Sequence, residues 1–388
     1  MTRTATQLRA AFAEELPEGD ATLGPEWKDA FATVPREIFV PRFFLHKAGG
    51  GRRAVDATDE DWLPAVYSDR TLVTQLDGDD SAWDRARHTG SAVGNPTSSS
   101  TQPTLMAWML EALDFHDGHR VLEVGTGTGY NAALLSHRLG SAQVTTIDID
   151  AHVVGLAQQR LAQAGYTPTV ATADAAHGYL DAAPYDRILA TCSWPRIPHP
   201  WIEQTRPGGL ILSHLYTDLD AGAMVLLRVV DDDTATGNFL PEYGAFMTRR
   251  DFQRPDTFAL LQQALRSTDQ GGRSPATMPA GEITSKDFPL FAALRVPDVA
   301  VHWFQPEGAT AMQTRLLSRD GSWAYQDLED GQLIAVQSGP RRLWDEIEAA
   351  HREWSALGKP AREQFELNIT PAGHSLRLGD RHTWDISA

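Results

Sequence analysis

Apolar side chains recur with different periods along this chain, and the changes of period divide it. Residues 6–15 and 27–34 carry them at helical spacing, and the second run stops before Pro35, since the residue ahead of a proline is steered out of helical geometry. The first hundred residues therefore predict a cap of helices and loops rather than a sheet. From Gln102 the pattern becomes helical over 105–113, a short buried strand over 120–124, and helical again over 131–139. Strand-like runs recur at 143–147, 169–171, 187–190 and 210–214, with a helical stretch over 153–164. Alternation of this kind predicts an α/β unit, a parallel sheet covered by helices on both faces. Residues 223–230 and 236–240, joined by Asp231, Asp232 and Asp233, read as a hairpin closing one sheet edge, with the aspartates as a solvated turn.

Residues 268–275 have linker composition, which places a domain boundary between Arg250 and Glu282. Beyond it lie strand-like pieces at 299–304, 314–317, 333–336 and 365–369. One strong helix covers about 341–357, with Pro340 ahead of it and Gly358 and Pro360 behind. At 388 residues the chain is long enough for two domains. The expected division is a cap and substrate-side insertion over 1–100, a core over 101–250, a linker over 251–282 and an additional C-terminal α+β domain over 283–388.

Composition narrows the function classes. A hydrophobic share of 42% with 22% charged residues is that of a folded globular protein. The net charge of −17 argues against nucleic acid and acidic membrane surfaces, both of which are bound through Lys and Arg. No run has the length of a signal peptide core or a membrane span, and Cys192 is the only cysteine, so a reducing cytoplasm is expected. His116 and His119 have no third ligand near in sequence, so no metal site is expected.

The chemistry concentrates after the strand at 120–124. Gly125, Gly127 and Gly129 sit between a buried strand and a helix, where a tight turn lets backbone approach a ligand. The G-x-G-x-G spacing differs from the G-x-G-x-x-G of dinucleotide folds. Glu123, two residues ahead, would repel a pyrophosphate but suits the ammonium and sulfonium charges of S-adenosylmethionine. Asp148, nineteen residues beyond Gly129, ends the next strand, where a carboxylate can accept ribose hydroxyls, and Asp174 ends the following one, beside the adenine. The cofactor-binding set is therefore Glu123, Gly125, Thr126, Gly127, Thr128, Gly129, Tyr130, Asn131, Asp148, Ile149, Asp174 and Ala175. A Rossmann-like, class I methyltransferase sheet follows from it.

Several stretches in order carry a resemblance to the protein-L-isoaspartate O-methyltransferases over roughly residues 27–250. They are 34–41, 67–72, 99–103, 121–130, 183–188, Ile197-Pro198 and 204–209. The resemblance implies that Ser98, Ser99, Ser100 and Thr101 form the hydroxyl-bearing active-site segment, with Thr101 at the family's hydroxyl position. Departures fall on the substrate side. Asp174-Ala175 stands where the family usually has Asp-Gly, residues 191–194 replace an alanine-rich turn, residues 79–95 are inserted, and repair enzymes usually lack the extension after Arg250. Residues 73–78, the serine run 98–100, residues 191–193 and the extended C-terminus are similar to a subgroup encoded with ATP-grasp ligases in graspetide maturation. What that subgroup implies is methylation of an aspartate in a modified, macrocyclic peptide and collapse of the ester to an aspartimide.

A carboxylate is ionised near neutral pH and needs no general base, so the residues must align it and exclude water. The four hydroxyls can orient it by donation. The bland alternative is that one of them caps the helix that follows. A peptide is thus the expected partner. Isoaspartyl repair and a non-catalytic binding module are the alternatives.

Overall fold

The computed structural model describes residues 4–16, 23–48, 50–216, 218–242, 244–250, 255–306 and 312–386. The chain divides into two compact units. One holds residues 1–193, 197–213 and 226–236, the other 194–196, 214–225 and 237–388.

The first unit opens with helices Ala5–Glu15 and Pro25–Thr33. A capping box starts the first, with Thr4 and Gln7 each satisfying the other's backbone N–H. A four-stranded antiparallel sheet follows, ordered Arg52–Asp56, Arg42–His46, Leu72–Leu76, Pro96–Ser100. The expectation of a cap without a sheet is corrected here. Its strands are short and the last, built from Pro, Thr and Ser, has no apolar residue to reveal it. Ser98 and Ser100 are nonetheless the buried positions of that strand.

The parallel core is as the apolar runs imply. Val121–Val124 lies between Val144–Asp148 and Tyr185–Trp194, and Thr169–Thr172 pairs with Val144–Asp148 on its far side. Every residue of Val121–Val124 is buried, the condition of a strand covered on both faces. Helices Pro103–Ala112, Tyr130–Leu139 and Ala151–Gln163 accompany these strands. Thr205–Leu215, Ala223–Val229 and Ala235–Phe239 follow, and their residues are shared between the two units.

The second unit is α+β. A five-stranded antiparallel sheet has the order Gly272–Pro275, Gln332–Ser338, Trp323–Glu329, Gln313–Leu317, Ala300–Phe304. Leu343–Ala356 is the strong C-terminal helix, burying Trp344, Ile347 and Trp354 and carrying Asp345 and Glu346 in its first turn, where the helix dipole favours acids. Phe365–Thr370, Gly373–Leu378 and His382–Ile386 form a meander.

The expected linker is not one. Residues 251–254 lie outside the described residues, but 257–266 form a helix capped by Asp256, and Gly272–Pro275 pairs with Gln332–Ser338. Glycine and serine in this stretch serve an edge strand, not a flexible tether. The second unit accordingly takes up the chain from Gly237, before the expected boundary. Among the described residues no helix is long and apolar enough to cross a membrane.

Candidate functional site

The strand Val121–Val124 runs into a turn that only glycine fits. Gly125 and Gly127 have φ of +95° and +50°. A Cβ on Gly125 would meet the Thr191 hydroxyl oxygen at 2.7 Å, and one on Gly127 would lie 3.3 Å from the Ser99 carbonyl oxygen. Thr191 uses that hydroxyl to donate to the Gly125 carbonyl at 2.8 Å, tying the loop to the strand Tyr185–Trp194. The Gly125 and Thr126 amides donate to the Ile147 carbonyl, tying the loop to the neighbouring strand. Thr126 shares a hydrogen bond with Thr146 at 2.7 Å, and the Thr128 hydroxyl accepts from the Tyr130 amide at 3.4 Å.

Glu123 is 1% exposed. Asn131 donates to its Oε1 at 2.7 Å, while Glu123 Oε2 and Asn131 Oδ1 have no hydrogen-bond partner among the described residues. Burial pushes this carboxyl up to about 7, against the pull of hydrogen bonds from Thr146 and Asn131, and the nearby Asp148 charge adds to the rise. A buried acid with one open oxygen is strongly disfavoured unless a cation or donor meets it.

Asp148 ends its strand half-buried. Its two oxygens accept from the Gly127 and Asp150 amides, each at 3.1 Å. Asp150, not Asp148, caps the helix Ala151–Gln163, accepting from His152 and Val153. Ile149 is 45% exposed, an apolar side chain left uncovered beside the acids. Asp174 caps the short 3-10 turn Ala175–His177 through the Ala176 amide at 2.9 Å. Glu123, Asp148 and Asp174 thus stand in or just after three adjacent parallel strands.

Tyr130 keeps its backbone at the end of the glycine turn while its side chain turns away. Its ring is 5% exposed and packs among Phe31 at 6.3 Å and Phe39 at 5.8 Å, inside the cap's aromatic cluster. As first residue of a helix, its side chain follows the cap rather than the glycine turn.

The four hydroxyls are not equivalent. Ser98 Oγ accepts from the Thr74 hydroxyl at 3.2 Å, and Ser100 Oγ accepts from the Arg36 guanidinium at 3.2 and 3.4 Å. Ser99 and Thr101 are half-buried. None of the four caps the next helix: Asp69 does so from a distant segment, accepting from the Thr104 amide at 2.8 Å and from Gln102 at 2.7 Å. Sequence reading missed Arg36 and Asp69, although both lie within the stretches that carry the family resemblance.

Other candidates take ordinary places. His116 and His119 contact each other edge to face. Among the described residues, the group able to hold an ion is His199, Glu203 and Asp233, in which His199 Nδ1 already faces Glu203 at 3.2 Å. Arg53 pairs with Asp61, Arg341 with Glu346 and Arg342 with Asp345.

The fold is that of the class I S-adenosylmethionine-dependent methyltransferases. A solved protein-L-isoaspartate O-methyltransferase aligns with 97% of this chain and all of its own at a TM-score of 0.55 and 19% identity. The family model for protein-L-isoaspartate(D-aspartate) O-methyltransferase matches residues 81–228. A protein-L-isoaspartate O-methyltransferase of Ignicoccus hospitalis is 30% identical over 207 residues, covering 53% of this chain and 79% of the relative. One from Methanothrix thermoacetophila is 33% identical over 183 residues, 47% of this chain and 69% of the relative. Against another, from Methanosarcina mazei, identity is 37% over 134 residues, and this chain spans about half of it (54%) while 34% of this chain is matched. The chain belongs to the protein-L-isoaspartate O-methyltransferase family. Since a solved family member aligns over nearly the whole chain, the C-terminal extension does not by itself set this protein apart from that enzyme's fold.

Proposed function

We propose that this protein transfers a methyl group from S-adenosylmethionine to the carboxylate of an aspartyl or isoaspartyl residue in a peptide. The observation that carries the reading is the open Glu123 oxygen, buried beside a glycine turn that touches the hydroxyl-bearing strand. When bound, the cofactor would supply a sulfonium methyl for attack by a carboxylate oxygen, a new O–C bond forming as the C–S bond breaks and S-adenosylhomocysteine leaves as the neutral thioether. Glu123 meets the cofactor's positive charge, Asp148 accepts from its ribose, Ile149 covers an apolar face, and Asp174 with Ala175 borders the base. Gly125, Gly127 and Gly129 let the backbone approach. Ser99 and Thr101, the half-buried hydroxyls, donate to the substrate carboxylate and hold it without protonating it. Ser98 and Ser100 secure the strand. As the only cysteine, Cys192 suits a reducing compartment.

The finer proposal is an ordinary aspartate in a ribosomally made, macrocyclised peptide, whose ester closes to an aspartimide with loss of methanol. Support comes from the substrate-side departures. The insertion folds as the helix Ala82–Thr89, and Gln75, in the strand beside Ser98, hydrogen-bonds to Asp80 at its start. Isoaspartyl repair is the second reading, favoured by the solved relative that aligns over 97% of this chain. Incubation with the cofactor and, separately, a linear isoaspartyl peptide and a lactone-bridged aspartyl peptide distinguishes them. Faster methylation of the bridged peptide, followed by methanol loss, supports the finer reading. Faster methylation of the linear isoaspartyl peptide supports repair.

A further inference from the structure

Arg36 is an arginine with no exposure at all, in the middle of the 34–41 stretch to which the function above gives no role. Its guanidinium makes six hydrogen bonds to neutral oxygens. Nη1 donates to the carbonyls of Val66 at 2.8 Å and Ser68 at 3.1 Å. Nη2 donates to the carbonyls of Arg70 and Thr101 and to Ser100 Oγ, each at 3.2 Å, and Nε donates to Ser100 Oγ at 3.4 Å. The guanidinium carbon also lies 5.6 Å from the centre of the Tyr130 ring, at the end of the glycine turn. Neighbouring Glu37 accepts from the Tyr67 hydroxyl, so the 34–41 and 67–72 stretches are joined twice.

We propose that Arg36 is a positioning residue for methyl transfer, a buried fork that sets Ser100 and Thr101, and with them the Ser99 backbone that abuts Gly127. This inference rests on the functional reading above. Five fixed N–H donors reach carbonyls on two separate segments and a hydroxyl at once, which the three donors of a lysine on a single nitrogen do not reproduce. Burial lowers the guanidinium to about 10, with Tyr130, Asp69 and Tyr67 acting against the fall, so it stays charged at neutral pH. The charge sits against Ser100 and Thr101, at the end of the strand proposed to hold the substrate carboxylate. The cofactor acids Glu123 and Asp148 make none of these bonds, so alignment of the substrate and affinity for the cofactor are separate outputs of the site.

The test compares wild type, Arg36→Lys, Ser100→Ala and the double variant on whichever of the two peptides above wild type methylates faster, with S-adenosylhomocysteine affinity measured alongside. Arg36→Lys is expected to lower kcat per folded protein about tenfold or more while leaving the affinity within about twofold, because a small misalignment at the reacting atoms is felt mainly in turnover. The double variant should be no slower than Arg36→Lys alone, since both act through one strand. A kcat for Arg36→Lys within about twofold of wild type, or effects that multiply in the double variant, overturns the proposal. Should Arg36→Lys not fold, Ser100→Ala removes the fork's side-chain acceptor, two of its six hydrogen bonds. A drop in kcat of about threefold at unchanged affinity supports the assignment, and wild-type kcat overturns it. If wild type itself methylates neither peptide, the functional reading fails instead.

Discussion

The glycine turn and the hydroxyl-bearing strand touch at Gly127 and are secured by different means. The turn is held mostly from nearby in sequence: Asn131 reaches Glu123 eight positions back, Thr126 reaches Thr146 at twenty and Gly127 reaches Asp148 at twenty-one, and Thr191 adds one longer reach of sixty-six to Gly125. The strand is held from far away, by Arg36 at sixty-four and sixty-five positions, with Asp69 gripping Gln102 just beyond it at thirty-three. A site assembled in this way has a donor half built within the run of parallel strands from Val121 to Trp194 and an acceptor half that requires the folded cap. Changes to the first half should therefore act on cofactor affinity, and changes to the second on turnover.

The largest expected effect is in the donor half. Glu123→Gln keeps the shape and the Asn131 contact region but removes the charge, and should weaken S-adenosylmethionine binding about a hundredfold, or roughly 3 kcal/mol. Calorimetric titration of cofactor into the apo protein measures it, and affinity within threefold of wild type would break the contrast. Arg36→Lys comes next, with its loss confined to kcat. Asp69→Ala should be the mildest. It removes a helix cap worth about 1 kcal/mol, lowering the melting temperature by a few degrees, with a smaller fall in turnover and unchanged cofactor affinity.

Glu123 also makes the donor half sensitive to pH, and the sign follows from its raised carboxyl. Below about pH 4.5 the group is protonated in both folded and unfolded chains and contributes nothing. As pH rises toward about 7 the unfolded chain ionises first, so this group lowers apo stability across that window, and the loss is complete above it. Thermal melts of apo wild type and Glu123→Gln from pH 5 to pH 8 should therefore diverge, the variant gaining relative stability with rising pH. Parallel curves would show that the carboxyl is not held in its neutral form.

The same contrast explains what could be read from the residues. The parallel strands were legible because strands buried on both faces are apolar throughout, as Val121–Val124 is, and the three acids fall at fixed offsets from them. The cap sheet was not, because its last strand, Pro96–Ser100, has no apolar residue and its pairing depends on Leu72–Leu76. Arg36 gave no sign of its role, since four of its five hydrogen-bond partners are backbone carbonyls that any residue supplies. The place of the Tyr130 ring was likewise hidden, since its partners Phe31 and Phe39 lie some ninety to a hundred positions away in the cap. The stretch 251–282 read as a tether by composition, and only pairing with Gln332–Ser338 reveals its strand Gly272–Pro275.

Mass spectrometry of a peptide incubated with this protein and S-adenosylmethionine tests the central claim most directly. The account predicts one added methyl on an aspartyl or isoaspartyl carboxylate, labile to mild base and released as methanol, and strongly reduced with Glu123→Gln at a cofactor concentration near the wild-type Kd. A base-stable methyl on nitrogen, or methylation undiminished by that substitution, would contradict it.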